Sequence, residues 1–258
     1  MEVHAHTHTP GKKWYHYLWE FLMLFLAVFC GFLAENLREH SVERHREKEY
    51  IVSMIEDLKN DSAFLVLSIN KLIPYHLTWL DSTVHLFQMP DLKGKDRLIY
   101  QAYFLGTAWT YSFHPTERTL SQLRSAGFHL IRNKNAADII SRLEDQYKIY
   151  SQITTFVENM QNDIDVSASS FADRAVTDKI GNITFQEFHN TFFVTLQLSD
   201  IPESATINTE NKEAMKLYTD KLRKYSFYLQ TAIKGEHTIL LREINKTIDI
   251  LNTFFLKQ

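Results

Sequence analysis

The residues that could do chemistry lie near the N-terminus. Lys13, His16 and Glu20 stand three and four positions apart, so on a helix turning about 100° per residue they share a face. Ala27, Gly31, Ala34 and Arg38 fall on the same line, within roughly 40° of it, and the other faces are Phe, Leu, Met and Val. A carboxylate such as Glu20 is costly against lipid, so it belongs either at a bilayer interface or opposite another polar group. Inside a ring of helices it would be placed to conduct or sense protons. The small residues on the same line let a second helix approach closely, which is how membrane helices associate. Upstream, His4, His6 and His8 alternate. In an extended chain their imidazoles point one way and suit a borderline divalent metal, although Glu2 is the one carboxylate nearby. The plainer reading of that tail is a solvated polar segment.

Other chemistry is missing from the sequence. There is no His-Glu-x-x-His, no paired Glu-x-x-His, no Gly-rich phosphate loop and no Gly-x-Ser-x-Gly elbow. The one cysteine, Cys30, lies in the apolar run and has no intrachain partner. His114, His129 and His189 are isolated and read as structural. Tyr100, Tyr103, Phe104, Trp109, Tyr111 and Phe113 read as core or groove lining before any cofactor site. A net charge of −3 gives no electrostatic case for nucleic acid. Neither an enzyme nor a cofactor is expected.

The stripe needs a membrane helix to carry it. Phe21 to Ala34 has no charged residue, and Trp14, Tyr15, Tyr17 and Trp19 form an aromatic belt on one side, with Lys12 and Lys13 outside it. Trp14 to Ala34 spans roughly 31 Å as a helix, about one hydrocarbon core. A cleaved signal peptide would need a small-residue cleavage site and a new start, yet Ala34 runs straight into charged helical sequence. The lysines before the span and Arg38, Arg44, Arg46 and Lys48 after it nearly balance. The short tail leans slightly toward an N-inside anchor in a bacterial inner membrane, with the body periplasmic.

Beyond Ala34 the charges alternate without Gly or Pro, and pairs such as Glu43–Lys48 and Glu39–Arg46 are expected along a wet helix. Ile51, Ile55, Leu58, Leu65, Ile69 and Leu72 then make a narrow seam suited to a coiled coil or an antiparallel helix, and Pro74 is expected to stop it. Pro115 and Gly127 bracket a short helix, and a 3/4 spacing from Ile140 to Ile164 marks a long one. Between Thr177 and Ser204 a hairpin and short helices both stay open. Thr209 is the expected N-cap of the next helix, and Gly235 the expected bend between two terminal runs. The fold class is therefore all-α, with one transmembrane helix continuing into a stalk helix and then a helical bundle. Its boundaries are residues 1–13 (tail), 14–36 (span), 37–73 (stalk) and 74–258 (helical domain).

Glu20…Gly31-Phe32-Leu33-Ala34-Glu35-Asn36, Glu49-Tyr50 and Glu56-Asp57-Leu58-Lys59-Asn60-Asp61 carry a resemblance, as does Leu123-Arg124-Ser125-Ala126-Gly127…Leu130-Ile131-Arg132-Asn133. Across about half its length the chain resembles an uncharacterised family of single-pass, membrane-anchored helical proteins of Bacteroidetes. It departs from that pattern in lacking a tryptophan after the span and in its His-rich tail. The resemblance implies an anchor and a helical body, and no activity.

The expected function is a membrane-anchored interaction or scaffold protein. Its partners would be the lipid bilayer, other copies through the transmembrane and stalk helices, and an unidentified protein. The alternatives are a small oligomer that conducts or senses protons or ions through Glu20, and a metal- or ligand-sensing module.

Overall fold

In the computed structural model, residues 14–107, 112–191 and 195–255 are described. The chain is helical, with no strand among these residues beyond a single antiparallel bridge between Ala172 and Ile207. It divides into two compact units, Met1–Tyr50 and Ile51–Gln258.

The first helix, α1, runs from Trp14 to Leu67. In the first unit most of its side chains are exposed, including Phe21, Leu24, Phe25 and Phe32, while Glu47 near the unit's end is buried. Pairs along its charged stretch include Glu35–Arg38 at 2.5 Å, His40–Glu43 at 3.6 Å and His45–Glu49 at 3.3 Å. The expected Glu39–Arg46 and Glu43–Lys48 spacings of seven and five residues turn past the three- and four-residue steps that bring helix side chains together.

In the second unit the seam turns inward. Ile51, Ile55, Leu58, Leu65 and Leu72 are buried, and Ile69 is half-buried. The covering helix belongs to the same chain. Ser62 bonds Asn245 and Ser68 bonds His237, so α8 (Lys234–Phe255) runs antiparallel beside it. Of the two partners the seam suited, the antiparallel helix is the one present.

Pro74 does not stop the helix. The turn before it opens into π geometry over Ser68–Leu72, where Ile73 N donates to Ser68 O, five residues back. A proline removes a donor and crowds the preceding turn. With that turn widened, the helix passes on into α2 (Ile73–Phe87), and the path is helical from Trp14 to Phe87. The end of the expected stalk at residue 73 is therefore not a break. A second π turn, Leu229–Ile233, joins α7 (Lys212–Tyr228) to α8. The irregularity expected at Gly235 thus lies just before it.

The remaining helices are α3 (Asp96–Thr107), α4 (Arg118–Ala126), α5 (Lys134–Ala168) and α6 (Arg174–Thr191). Gly127 closes α4 with φ +93°, ψ 134°, a positive-φ exit open to glycine, though outside the left-handed helical well expected of it. Asn133 caps α5 by accepting from Ala136 N. The ambiguous stretch after Thr177 is helical as far as Thr191. The cap of α7 is Asn211, which accepts from Ala214 N, two residues beyond the expected Thr209. α2, α3, α5 and α7 enclose the main core around Tyr100, Tyr103, Phe104, Tyr218 and Tyr225. Trp109 and Tyr111 lie outside the described residues.

Candidate functional site

Two carboxylates are buried in the body, both on α1 and one turn apart. Asp57 and Asp61 are 1% and 3% exposed. A helix start leaves unpaired N–H groups and a partial positive charge, usually met by a side chain just upstream. α4 has no such local cap. Asp61 accepts instead from Thr116 N (3.1 Å) and Thr116 Oγ1 (2.7 Å). Asp57 accepts from Thr119 N (3.1 Å), Thr119 Oγ1 (2.6 Å) and the Arg118 guanidinium (2.7 Å). One helix thus caps another from a distance. Burial pushes the Asp61 carboxyl above its ordinary range, against the pull of its hydrogen bonds from Thr116 and Tyr147.

From this clamp a polar line continues along one face of α5. Tyr147, Tyr150, Thr154, Glu158, Gln161 and Asp165 follow at steps of three and four residues, one side of a helix. Tyr147 donates to Asp61 at 3.1 Å. The Tyr150 hydroxyl accepts from Phe113 N and meets His237 Nε2, both at 2.9 Å. Glu158 accepts from Ser112 at 2.9 Å. Gln161 donates to the Thr107 carbonyl, and Asp165 accepts from Tyr103 at 3.1 Å. Their partners come from α1, α3, α8 and the segment entering α4, so the line ties together elements far apart in sequence.

Two buried histidines sit close to the π turns. His76 is four residues past the end of the first, and His237 four past the end of the second. Burial holds each imidazole down at about 4, so both are neutral at physiological pH. His237 is held between Ser68 Oγ (3.0 Å) and the Tyr150 hydroxyl. His76 reaches the Gly106 backbone and packs edge-on against Tyr225. Gly106 lets α3 approach α2 closely there, since a Cβ on it would lie 3.2 Å from the Trp79 carbonyl carbon and the Leu80 nitrogen, tighter than an ordinary contact.

Chemically, a Ser–His contact invites a nucleophile reading. Ser68 and His237 are both 0% exposed, and neither lines the cavities described next. That contact is a packing bridge. A cleft of about 570 Å³ lies between the segment entering α4 and α5, floored by Phe113, Tyr147 and Tyr150. The charges at its rim bond each other: Glu144 takes both Arg124 (3.1 Å) and Lys148 (3.5 Å). A groove of about 880 Å³ lies between α5 and α6, beside Asp165, whose carboxyl burial pushes up to about 6. Among the described residues, no group of three or more His, Cys, Asp or Glu is placed to hold a metal ion.

The residues singled out in the sequence fall elsewhere. His16, Glu20, Ala27, Gly31, Ala34 and Arg38 are all on α1 of the first unit, and all are exposed. Arg38 is committed to Glu35. A Cβ on Gly31 would meet nothing within 4 Å. Lys13, His4, His6 and His8 lie outside the described residues. His114 is exposed. The buried clamp and the two histidines were not found by spacing, because each depends on pairing across distant segments. Two signals were present: acidic residues on the seam side of α1, and a histidine on the apolar side of α8.

No family model, curated protein or solved structure matches the chain.

Proposed function

We propose that this chain is a bilayer-anchored interaction protein whose helical body serves as a recognition scaffold. One observation carries the reading. The first part of α1 is long and apolar enough to cross a membrane, and none of its most apolar window is buried. Trp14, Phe21, Leu24, Val28 and Phe32 are each about two-thirds exposed or more. Apolar surface in water costs about 25 cal/mol per Å², so such a helix calls for a different solvent. A retained anchor is favoured over a cleaved leader because α1 runs unbroken past Ala34 to Leu67, whose later turns supply the body's core.

Within the bilayer the face of Ala27, Gly31 and Ala34 accepts a second copy, and Glu20 turns toward that contact and away from lipid. The body is bonded inward along its polar line and offers helix surfaces to a protein partner. Lys12 and Lys13 favour an N-inside anchor in a bacterial inner membrane, with the body on the far side. The test is alkaline extraction of native membranes, followed by protease added to spheroplasts. The full-length chain should stay in the pellet and lose its body to external protease. Release into the wash, or a mature chain lacking residues 1–34, would overturn the anchor. Protection from external protease would reverse the orientation alone.

A further inference from the structure

Space lies beside the first histidine, against Leu229 and Ile233 of the second π turn. A cavity there gives a water's centre about 20 Å³ of room, with Ile73, His76, Ser112, Thr154, Val157 and Tyr225 around it. About 10–15 Å³ on this measure admits one water.

Thr154 shows what the space is for. In this protein Thr78, Thr83, Thr155, Thr219 and Thr247 each return their hydroxyl to the carbonyl four residues back, the ordinary habit of a helical threonine. Thr154 does not. Its residue is 6% exposed, its oxygen is buried, and no hydrogen-bond partner meets it. It leans toward the Tyr150 phenol without reaching bonding geometry, and that oxygen already serves Phe113 and His237. A hydroxyl left so in the core costs about 1–3 kcal/mol.

We infer that this cavity is a binding site for one small neutral hydrogen-bonding molecule, that water occupies it, and that Thr154 is its anchor. The residues around the space that carry a polar group are Thr154, Ser112, His76 and Tyr225. The remaining walls, Ile73, Val157, Leu229 and Ile233, offer nothing to a charge, so an ion is excluded on desolvation grounds. Thr154 also lines the outer cleft, so the molecule exchanges with solvent past this residue.

The test uses the full chain. A crystal structure at high resolution, with water probed directly, should show one ordered water within hydrogen-bond distance of Thr154 Oγ1. Thr154→Val, which keeps the shape and removes the hydroxyl, should lose that water and lower Tm by about 2–4 °C. Thr154→Ser should retain the water. A dry cavity in the wild-type chain, or a Thr154 hydroxyl bonded to the Tyr150 carbonyl, overturns the inference. So does a Thr154→Val variant whose water is unchanged. The wild-type map decides the matter even if Thr154→Val fails to fold.

Discussion

The two units use the same element for opposite ends. In Met1–Tyr50, helix α1 turns Phe21, Leu24, Phe25 and Phe32 outward, and its polar line of His16, Glu20 and Arg38 is exposed beside them. In Ile51–Gln258 the seam from Ile51 to Leu72 goes inward and a polar line goes in with it, from Asp57 and Asp61 through Tyr147 and Tyr150 to Asp165. An outward apolar face asks only for a suitable solvent and tolerates local change. An inward polar line asks for a partner at every position, because each loss leaves a second group stranded. The body should therefore be sensitive to single polar deletions, and the first unit should not.

The largest effect falls on the clamp. Asp57→Ala removes the acceptor for Thr119 N, Thr119 Oγ1 and Arg118 at once. Losing a helix cap and stranding a buried donor should cost the full chain about 2–4 kcal/mol, read from thermal or urea unfolding in mild detergent. Asp57→Asn keeps an acceptor and should recover part of the loss. A change below about 0.5 kcal/mol, the scale of a surface substitution, would show that α4 is not held by α1, and the contrast between the units would fail.

Much of the fold was legible because it is local. The seam from Ile51 to Leu72, the register of α5 from Ile140 to Ile164 and the glycine closing α4 all follow from spacing and backbone freedom. The aromatic residues Tyr100, Tyr103, Phe104 and Phe113 proved to be core. Errors arose where a second segment decides the outcome. Pro74 reads as a stop until the preceding turn widens. Thr209 reads as a cap, but Asn211 is the residue that reaches Ala214 N. Asp57 and Asp61 enter the sequence reading only within the motif Glu56-Asp57-Leu58-Lys59-Asn60-Asp61 that carries the resemblance, because nothing near them in sequence announces a helix start some sixty positions on. The site was less legible than the fold for the same reason. His76 and His237 gain their meaning from π turns and partners that no period encodes.

The histidine comparison sharpens the contrast through pH. An unfolded histidine takes up a proton near pH 6.5, whereas folded His76 and His237 do so only near 4. The unfolded chain thus binds more protons between these values, and stability falls as pH drops from about 6.5 toward 4. Asp165, pushed up to about 6, works the other way, since the folded chain binds its proton first and gains as pH falls toward 3.8. Asp61, also raised, acts in the same sense as Asp165. His237→Gln removes one histidine limb and leaves both carboxyls. Comparing urea midpoints at pH 7 and pH 5, the variant should lose about 2 kcal/mol less than wild type on acidification, at a constant denaturant slope. An identical pH dependence in the two proteins would mean His237 is not shielded from solvent as its surroundings require.

The smallest effect on folding is expected in the first unit, and it separates two kinds of contact. A side chain at Gly31 would enter open space on its own chain, so Gly31→Leu should leave the unfolding midpoint of the body within about 0.5 kcal/mol of wild type. The same change blocks the close approach of a second helix at Ala27, Gly31 and Ala34, and should weaken self-association in detergent or bilayer about tenfold, as read by crosslinking or energy transfer between labelled chains. If the midpoint shifts instead, α1 near Gly31 is packed against its own chain, and the outward face is misassigned. If association is unchanged, the small residues merely fit the lipid, and copies meet elsewhere. Only a loss of association without a loss of stability supports both halves of the comparison, because it requires a helix face that its own chain leaves open and a second copy covers.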